Sequence, residues 1–303
     1  MHLSSLAADR IAALPTSIQA AFWITLSGFT FTVSIAAVRT VTEELHVLEA
    51  VFFRSLFGIA FMLPWLIRNG PRAALGTKRL GLYAIRGCLA YFVTLLYFSA
   101  AGLMPIADLT SITFTRPIFG TIAAIFVLSE IVGHRRRTAI AIGFLGMLII
   151  VRPGFQAVNL GAIYILVAVA LQTANTMIVK ILTRTEQPDT IATYHAIFMM
   201  PLAVIPVIFV WQTPTLEMFA WLIAIGGFGI LNQRMVTRAY AVADASLVLA
   251  LGYLRLPISA LMGFLVFSEV PTIWVWIGGA VIAGAAAYIA HRETVIARTE
   301  RES

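Results

Sequence analysis

The chain has 303 residues, of which 60% are hydrophobic and 12% are charged, and its formal net charge is +7. A soluble domain carries about 25% charged residues, so the composition argues against a soluble enzyme and explains the basic excess by membrane orientation rather than by nucleic acid. The single cysteine, Cys88, excludes an intramolecular disulfide and a thiol metal site built from this chain alone.

Ten apolar spans follow one another along the chain, and together they leave no room for a soluble domain. Crossing a bilayer takes about 20 apolar residues per helix. The first span is as long as that, so it is predicted to be a retained helix rather than a signal peptide, whose apolar core is about 7–15 residues. The spans are Ile18–Val38, Val47–Ile67, Leu80–Ala100, Pro105–Leu128, Thr138–Val151, Gly161–Leu182, Ile191–Val210, Met218–Val236, Ala245–Phe267 and Thr272–Ala290.

The basic residues between the spans predict the orientation. With the N-terminus inside, the inner segments and adjoining span ends hold fourteen Lys and Arg residues, and the outer segments hold only Arg39 and Arg152. Cytoplasmic loops of membrane proteins are enriched in Lys and Arg. The sequence therefore predicts an inner-membrane protein with both termini in the cytoplasm.

The two halves of the chain resemble each other. Arg116 precedes Glu130 by the same 14 residues that separate Arg255 from Glu269, and an Ala-Asp pair stands before each arginine. Each half contains five spans, and an odd number makes the second copy enter from the opposite side. We therefore predict two inverted five-helix repeats, residues 18–151 and 161–290, an architecture typical of transporters.

These motifs resemble the EamA branch of the drug/metabolite transporter superfamily. The similar pieces are Phe53-Arg54, Leu82–Gly87 and two series of Asp, Pro and Glu. The series are Asp108, Pro117 and Glu130 in the first half and Asp244, Pro257 and Glu269 in the second.

The resemblance covers about residues 18–290 and implies ten helices around a central cavity. The lining would come mainly from the first, third, fourth, sixth, eighth and ninth spans. Members carry amino acids, nucleotide-like metabolites, riboflavin, S-adenosylmethionine or drugs. Exporters of aromatic and neutral amino acids, the YddG type, are the nearest in overall pattern.

Arg116 and Arg255 are the leading candidates for substrate binding, because each lies deep within an apolar span. A charged side chain at mid-bilayer costs about 2.5–3.5 kcal/mol on insertion scales, so each must face protein or a wet cavity. Two roles stay open. The arginines hold a substrate carboxylate, or they bond helix carbonyls freed by the helix-breaking prolines Pro117 and Pro257.

Further cavity candidates are polar or aromatic residues near the middle of spans. The amides hydrogen-bond a polar substrate or tie helices together, and the aromatics, placed around the cavity by the resemblance, line it or simply pack. They are Gln172, Asn175, Asn232, Gln233, Trp23, Tyr91, Tyr97 and Tyr253.

Five other ionisable residues receive less central roles. Arg54 is expected to pair with Glu49 near the outer end of its span, and Arg86 to snorkel or form a structural pair near the inner start of its helix. His195 is the only histidine expected inside a span, and no carboxylate stands beside it in sequence to favour proton coupling. Glu130 and Glu269, near helix ends, are expected to act as gate or structural residues.

A secondary transporter explains these features best. Its predicted function is export of aromatic or neutral amino acids by alternating access, with uptake of S-adenosylmethionine, riboflavin or a nucleotide-like metabolite as the alternative. A membrane-embedded enzyme would need a metal or paired-acid constellation, and a sensor would need an output domain. No phosphate-binding glycine loop is present. We expect no cofactor, metal or nucleic-acid partner, and a monomer or homodimer.

Overall fold

The computed structural model describes residues 16–113, 115–116, 119, 138, 141–142, 144–146, 148–149, 159–243, 248, 255–281 and 284. This part of the chain is helical and contains no strand. Six of its helices are long and apolar enough to cross a membrane. The helices are α1 (Thr16–Val41), α2 (Val47–Asn69), α3 (Pro71–Ala74), α4 (Leu80–Ala101), α5 (Ile106–Thr113), α6 (Leu160–Leu182), α7 (Pro188–Val207), α8 (Leu216–Val242) and α9 (Arg255–Phe267).

Local capping explains where three of the long helices begin. Before α2, the His46 side chain accepts from a backbone N–H of the first turn while Glu49 accepts from the His46 N–H, which is a capping box. Thr215 and Asn159 cap α8 and α6 through their side-chain oxygens. The Asn159 amide also donates to the carbonyl of Leu103, so α6 begins where α4 ends.

Helix α8 extends six residues beyond the end of its predicted span, and α7 is shifted by three residues at both ends. The last turn of α8 continues to Val242, beyond the expected end at Val236, because its arginines pair with an acid on α7 that the apolar pattern does not reveal. Helix α7 begins at Pro188, because the N–H that proline lacks would make no intrahelical hydrogen bond at the first position of a helix. It ends at Val207, just after Pro206. The fourth, fifth, ninth and tenth predicted spans lie partly outside the described residues.

One end of the bundle, called the first end, holds the end of α1 and the starts of α2, α5 and α8. Glu269, just after α9, pairs with Arg39 of α1 and accepts from the backbone N–H of Ile106. Glu49 of α2 accepts from the backbone N–H of Gln212, which precedes α8, at 2.6 Å. The end of α9 therefore lies at this same end.

The opposite end, called the second end, gathers the starts of α4 and α7 with the end of α8. Arg234 donates to both carboxylate oxygens of Asp189 at 2.8 and 2.9 Å, and Arg238 approaches the same carboxylate at 3.2 Å. Thr77, ahead of α4, donates to Glu186 between α6 and α7. These contacts fix the direction of each long helix through the bundle.

Helices from the two halves of the chain pack against each other. The most extensive contacts join α1 to α8 and α4 to α6, followed by α2 with α8, α2 with α7, and α4 with α7. The largest apolar cluster spans both halves and contains buried residues of α1, α2, α4, α6 and α8. The core of the protein is therefore the boundary between the halves.

Two glycines permit the closest of these approaches. A Cβ on Gly87 of α4 would lie 2.3 Å from the Cβ of Phe198 on α7, and one on Gly226 of α8 would lie 2.3 Å from the Cβ of Phe57 on α2. Both phenylalanines are the eleventh residue of their helix. Small residues at such crossings let helix backbones pack tightly in membranes.

Replacing Gly87 with alanine is expected to destabilise the protein, because the added methyl meets a Cβ and a nearby backbone that cannot rotate away. Overpacking of this kind costs about 1–3 kcal/mol. The matched control is Gly81→Ala on the same helix, where nothing lies within 4 Å. In detergent, the thermal unfolding midpoint should fall only for Gly87→Ala, and equal midpoints for both variants would show that the crossing can relax.

Candidate functional site

A single large cavity lies among the described helices, between the two halves. Its empty space is about 1220 Å³, part of which is open to solvent. On α6 and α8, all of its lining residues fall in the half of the helix nearer the second end: Gln172, Asn175, Thr176, Val179, Asn232, Gln233, Val236 and Tyr240.

Arg116 and Arg255 line this cavity together. Arg116 donates to the hydroxyl of Tyr97 at 3.3 Å, and Arg255 donates to the hydroxyl of Ser27 at 3.4 Å. The guanidinium carbon of Arg255 lies 4.5 Å from the centre of the Phe31 ring. The described hydrogen bonds of both arginines thus go to hydroxyl groups and not to helix carbonyls.

Two arginines that the sequence placed in minor roles also line the cavity. Arg54 does not pair with Glu49, whose oxygens accept instead from backbone N–H groups, so the expected interfacial pair is wrong. Arg86 is only 1% exposed and therefore does not snorkel. It donates to the carbonyl of Ile191 at 3.3 Å and to the side-chain oxygen of Gln233 at 3.2 Å.

Helix packing explains why sequence reasoning missed these two arginines. Distance from the nearest loop suggested that each could reach an interface. The structure turns Arg54 toward α8, where Gly229 leaves space for its guanidinium, and turns Arg86 toward α7 and α8. The available signal was their position within apolar spans, which by itself marks an ionisable residue as a functional candidate.

Four buried or half-buried guanidiniums in one cavity are costly. At about 2.5–3.5 kcal/mol each on insertion scales, their combined cost is on the order of 10 kcal/mol, similar to the whole stability of an average protein domain at about 5–15 kcal/mol. No aspartate or glutamate stands among the described lining residues to offset this cost. A function that needs positive charge is the simplest reason to keep them.

Amide side chains add hydrogen-bonding capacity to the cavity. Gln172, Asn175, Asn232 and Gln233 all line it, as the sequence suggested for a polar substrate. Asn232 donates to the carbonyl of Ser27 at 2.7 Å and so also ties α8 to α1. Asn175 donates to Gln172, while its own side-chain oxygen has no partner among the described residues.

The aromatic lining differs from the expected set. Tyr97 lines the cavity, joined by Phe31, Phe98 and Tyr240. Trp23 does not line it, because its ring packs against Phe22 and beneath the guanidinium of Arg238.

Four other candidates from the sequence are not found among the described cavity-lining residues. Tyr91 is buried in the apolar core, since the face of α4 that carries Ala90, Thr94 and Tyr97 is the one turned to the cavity. Tyr253 and Pro117 lie outside the described residues, and Pro257 belongs to α9 without a described side chain.

His195 of α7 is a further lining residue, so α2 and α7 contribute to the cavity in addition to the helices expected from the resemblance. The ring is 4% exposed, and neither of its nitrogens has a hydrogen-bond partner among the described residues. Arg54 and the histidine also line a second, smaller pocket together. It therefore belongs to the same cationic part of the cavity.

Comparison with known proteins finds similar membrane transporters. Residues 18–152 match the model of the EamA-like transporter family. A riboflavin transporter of Vibrio cholerae is 31% identical and aligns over 94% of this chain and 97% of its own length. An S-adenosylmethionine uptake transporter of Rickettsia prowazekii is 26% identical over 96% of this chain and 99% of its own length.

The fold also has a counterpart among solved structures. One crystal structure superposes with a TM-score of 0.60 over 89% of this chain and 98% of its own chain. The two sequences are 17% identical, so the likeness concerns the fold alone.

Proposed function

The chain belongs to the EamA branch of the drug/metabolite transporter superfamily, and from this premise we propose that it carries a riboflavin-sized metabolite through the central cavity by alternating access. The family and its relatives identify a multi-pass membrane transporter rather than an enzyme. The observation that carries the proposal is one polar cavity lined by helices of both halves. Such a site near the boundary of two repeats is the usual arrangement in secondary transporters.

Helix directions and packing support two inverted repeats within residues 18–151 and 161–290. Helix α1 ends at the first end, whereas α6, which opens the second half, begins there. The extensive contacts of α1 with α8 and of α4 with α6 exchange with each other when the halves are interchanged. The two glycine–phenylalanine crossings exchange in the same way.

Charge supports a cytoplasmic second end, and hence cytoplasmic termini in an inner membrane. The described residues of that end include Arg68, Arg72, Lys78, Arg79, Lys180 and Arg184. Arg39 is the basic residue that the described helices place at the first end. The positive-inside rule favours the basic end as the cytoplasmic one.

Riboflavin is the first compound to test, because a transporter named for it shares nearly the full length of this chain. Aromatic residues and amides in the lining suit a flat heterocycle with polar edges. Amino-acid export, expected from the sequence, is the second candidate. The observation that favours it is the Arg116–Arg255 pair, which fits a carboxylate.

Counterflow in proteoliposomes tests the proposal. Vesicles loaded with unlabelled substrate should accumulate labelled riboflavin faster than protein-free vesicles. Labelled S-adenosylmethionine and phenylalanine are run in parallel. Exchange of phenylalanine alone would replace the substrate assignment by the amino-acid one, and exchange of none of the three, with folded protein, would remove this function.

A further inference from the structure

We propose that the transport cavity binds an organic anion with at least two negative charges, shared between two separate pairs of arginines. This inference rests on the proposed function in taking the cavity as the transport site. It goes further by assigning the charge of the substrate and a role to Arg54 and Arg86. Ligands of this kind include phosphate monoesters and dicarboxylates, whose negatively charged oxygens accept hydrogen bonds from guanidinium groups.

The first pair is Arg116 and Arg255, contributed by the fourth and ninth spans. Both guanidiniums line the same cavity. The Nε–H of each is buried and has no partner among the described residues. Each donates a described hydrogen bond only to a neutral hydroxyl, on Tyr97 or Ser27, so no described hydrogen bond of either arginine goes to a carboxylate.

The second pair is Arg54 and Arg86, from α2 and α4. Both line the cavity together with His195 of α7, which is buried. Arg86 is 1% exposed and bonds two neutral oxygens, while its Nε–H is unpartnered among the described residues. Neutral partners hold this guanidinium in place without neutralising it.

The backbone is shaped to admit the Arg54 guanidinium. A Cβ on Gly229 of α8 would lie 2.7 Å from its Nη1. The guanidinium carbon also lies 5.7 Å from the centre of the Phe98 ring, a neighbour that attracts a cation without cancelling its charge. Gly229 therefore leaves room for the Arg54 guanidinium, and the Phe98 ring contacts it at the cavity.

The net positive charge of the described lining residues favours a negatively charged substrate. Four guanidiniums line the cavity, and the described lining residues include no carboxylate. A neutral ligand would leave the four guanidiniums without a counter-charge, and a cation would add to the repulsion among like charges. An anion with one charge could serve one pair, whereas a doubly charged anion serves both.

Binding of charge-matched ligand pairs tests this inference on the full-length protein in detergent. The first pair is riboflavin and riboflavin 5′-phosphate, and the second is glutaramide and glutarate. Thermal unfolding followed by light scattering reports binding without interference from flavin absorbance. We expect at least one anion to raise the unfolding midpoint at a concentration tenfold or more below that needed by its neutral partner.

Arg54→Gln and Arg86→Gln should each weaken binding of the anion at least tenfold more than they weaken binding of its neutral partner. The control Arg184→Gln removes an exposed arginine outside the cavity and should change neither. Equal or tighter binding of both neutral partners, or no stabilisation by either anion in a folded protein, would overturn the inference. Riboflavin counterflow without any anion preference would overturn it while leaving the proposed function standing.

Discussion

Replacing Arg116 or Arg255 with glutamine is expected to slow substrate counterflow by about thirtyfold or more. Removing one partner of a buried, hydrogen-bonded charge pair costs about 2–5 kcal/mol, and about 1.4 kcal/mol corresponds to each factor of ten. Both guanidiniums face the cavity with unpartnered Nε–H groups among the described residues. The substrate would then lose a charged donor that the amide of glutamine does not replace.

The measurement compares counterflow rates and unfolding midpoints of each variant with those of Arg68→Gln, an exposed arginine at the second end. A substrate-binding role predicts lost exchange with a nearly unchanged midpoint. The alternative role, bonding of helix carbonyls freed by Pro117 and Pro257, predicts a lowered midpoint together with lost exchange. Full exchange in both variants would exclude either arginine from the transport site.

Replacing Glu269 with alanine is expected to open the first end of the bundle. Its carboxylate holds three elements together, since it pairs with Arg39 of α1, accepts from the Ile106 N–H of α5 and follows α9 directly. The side chains of the pair are 27% and 14% exposed, so water screens the pair only in part. The sequence assigned Glu269 a gate or structural role, and we propose the gate.

Cysteine accessibility measures the effect. In a Cys88→Ser background, a cysteine at Ser34, a buried cavity residue of α1, reports access from the first end. A membrane-impermeant maleimide applied at that end should react about tenfold faster after Glu269→Ala, a change of roughly 1.4 kcal/mol in the closed state. Glu217→Ala, an exposed acid at the start of α8, is the matched control. Unchanged reactivity would show that other contacts close this end.

The membrane-spanning elements could be predicted from the sequence alone. The predicted limits of α2, α4 and α6 lie within two residues of the observed ones, because burial of about 20 apolar residues in lipid is a local property of the chain. The missed last turn of α8 has the opposite cause. It depends on Asp189 of another helix, and no local pattern contains that information.

The lining of the cavity was likewise predicted only in part from the sequence. The sequence identified Arg116, Arg255, Tyr97 and the four amides as lining candidates, because polar groups inside apolar spans must face protein or water. It gave Arg54, Arg86 and His195 minor roles and favoured Trp23 and Tyr91, since spacing from a loop does not show which way a helix face turns.

What the sequence determined by itself is the membrane class, the family resemblance and the helices, all set by composition and local pattern. Only the tertiary structure decided which charges share one cavity and which pair elsewhere. Arg234 and Arg238 of α8 both pair with Asp189. Arg54 of α2 and Arg86 of α4 pair with no described carboxylate. The reason is physical: the free energy of a buried charge is set by its neighbours in space, and those come from distant parts of the chain.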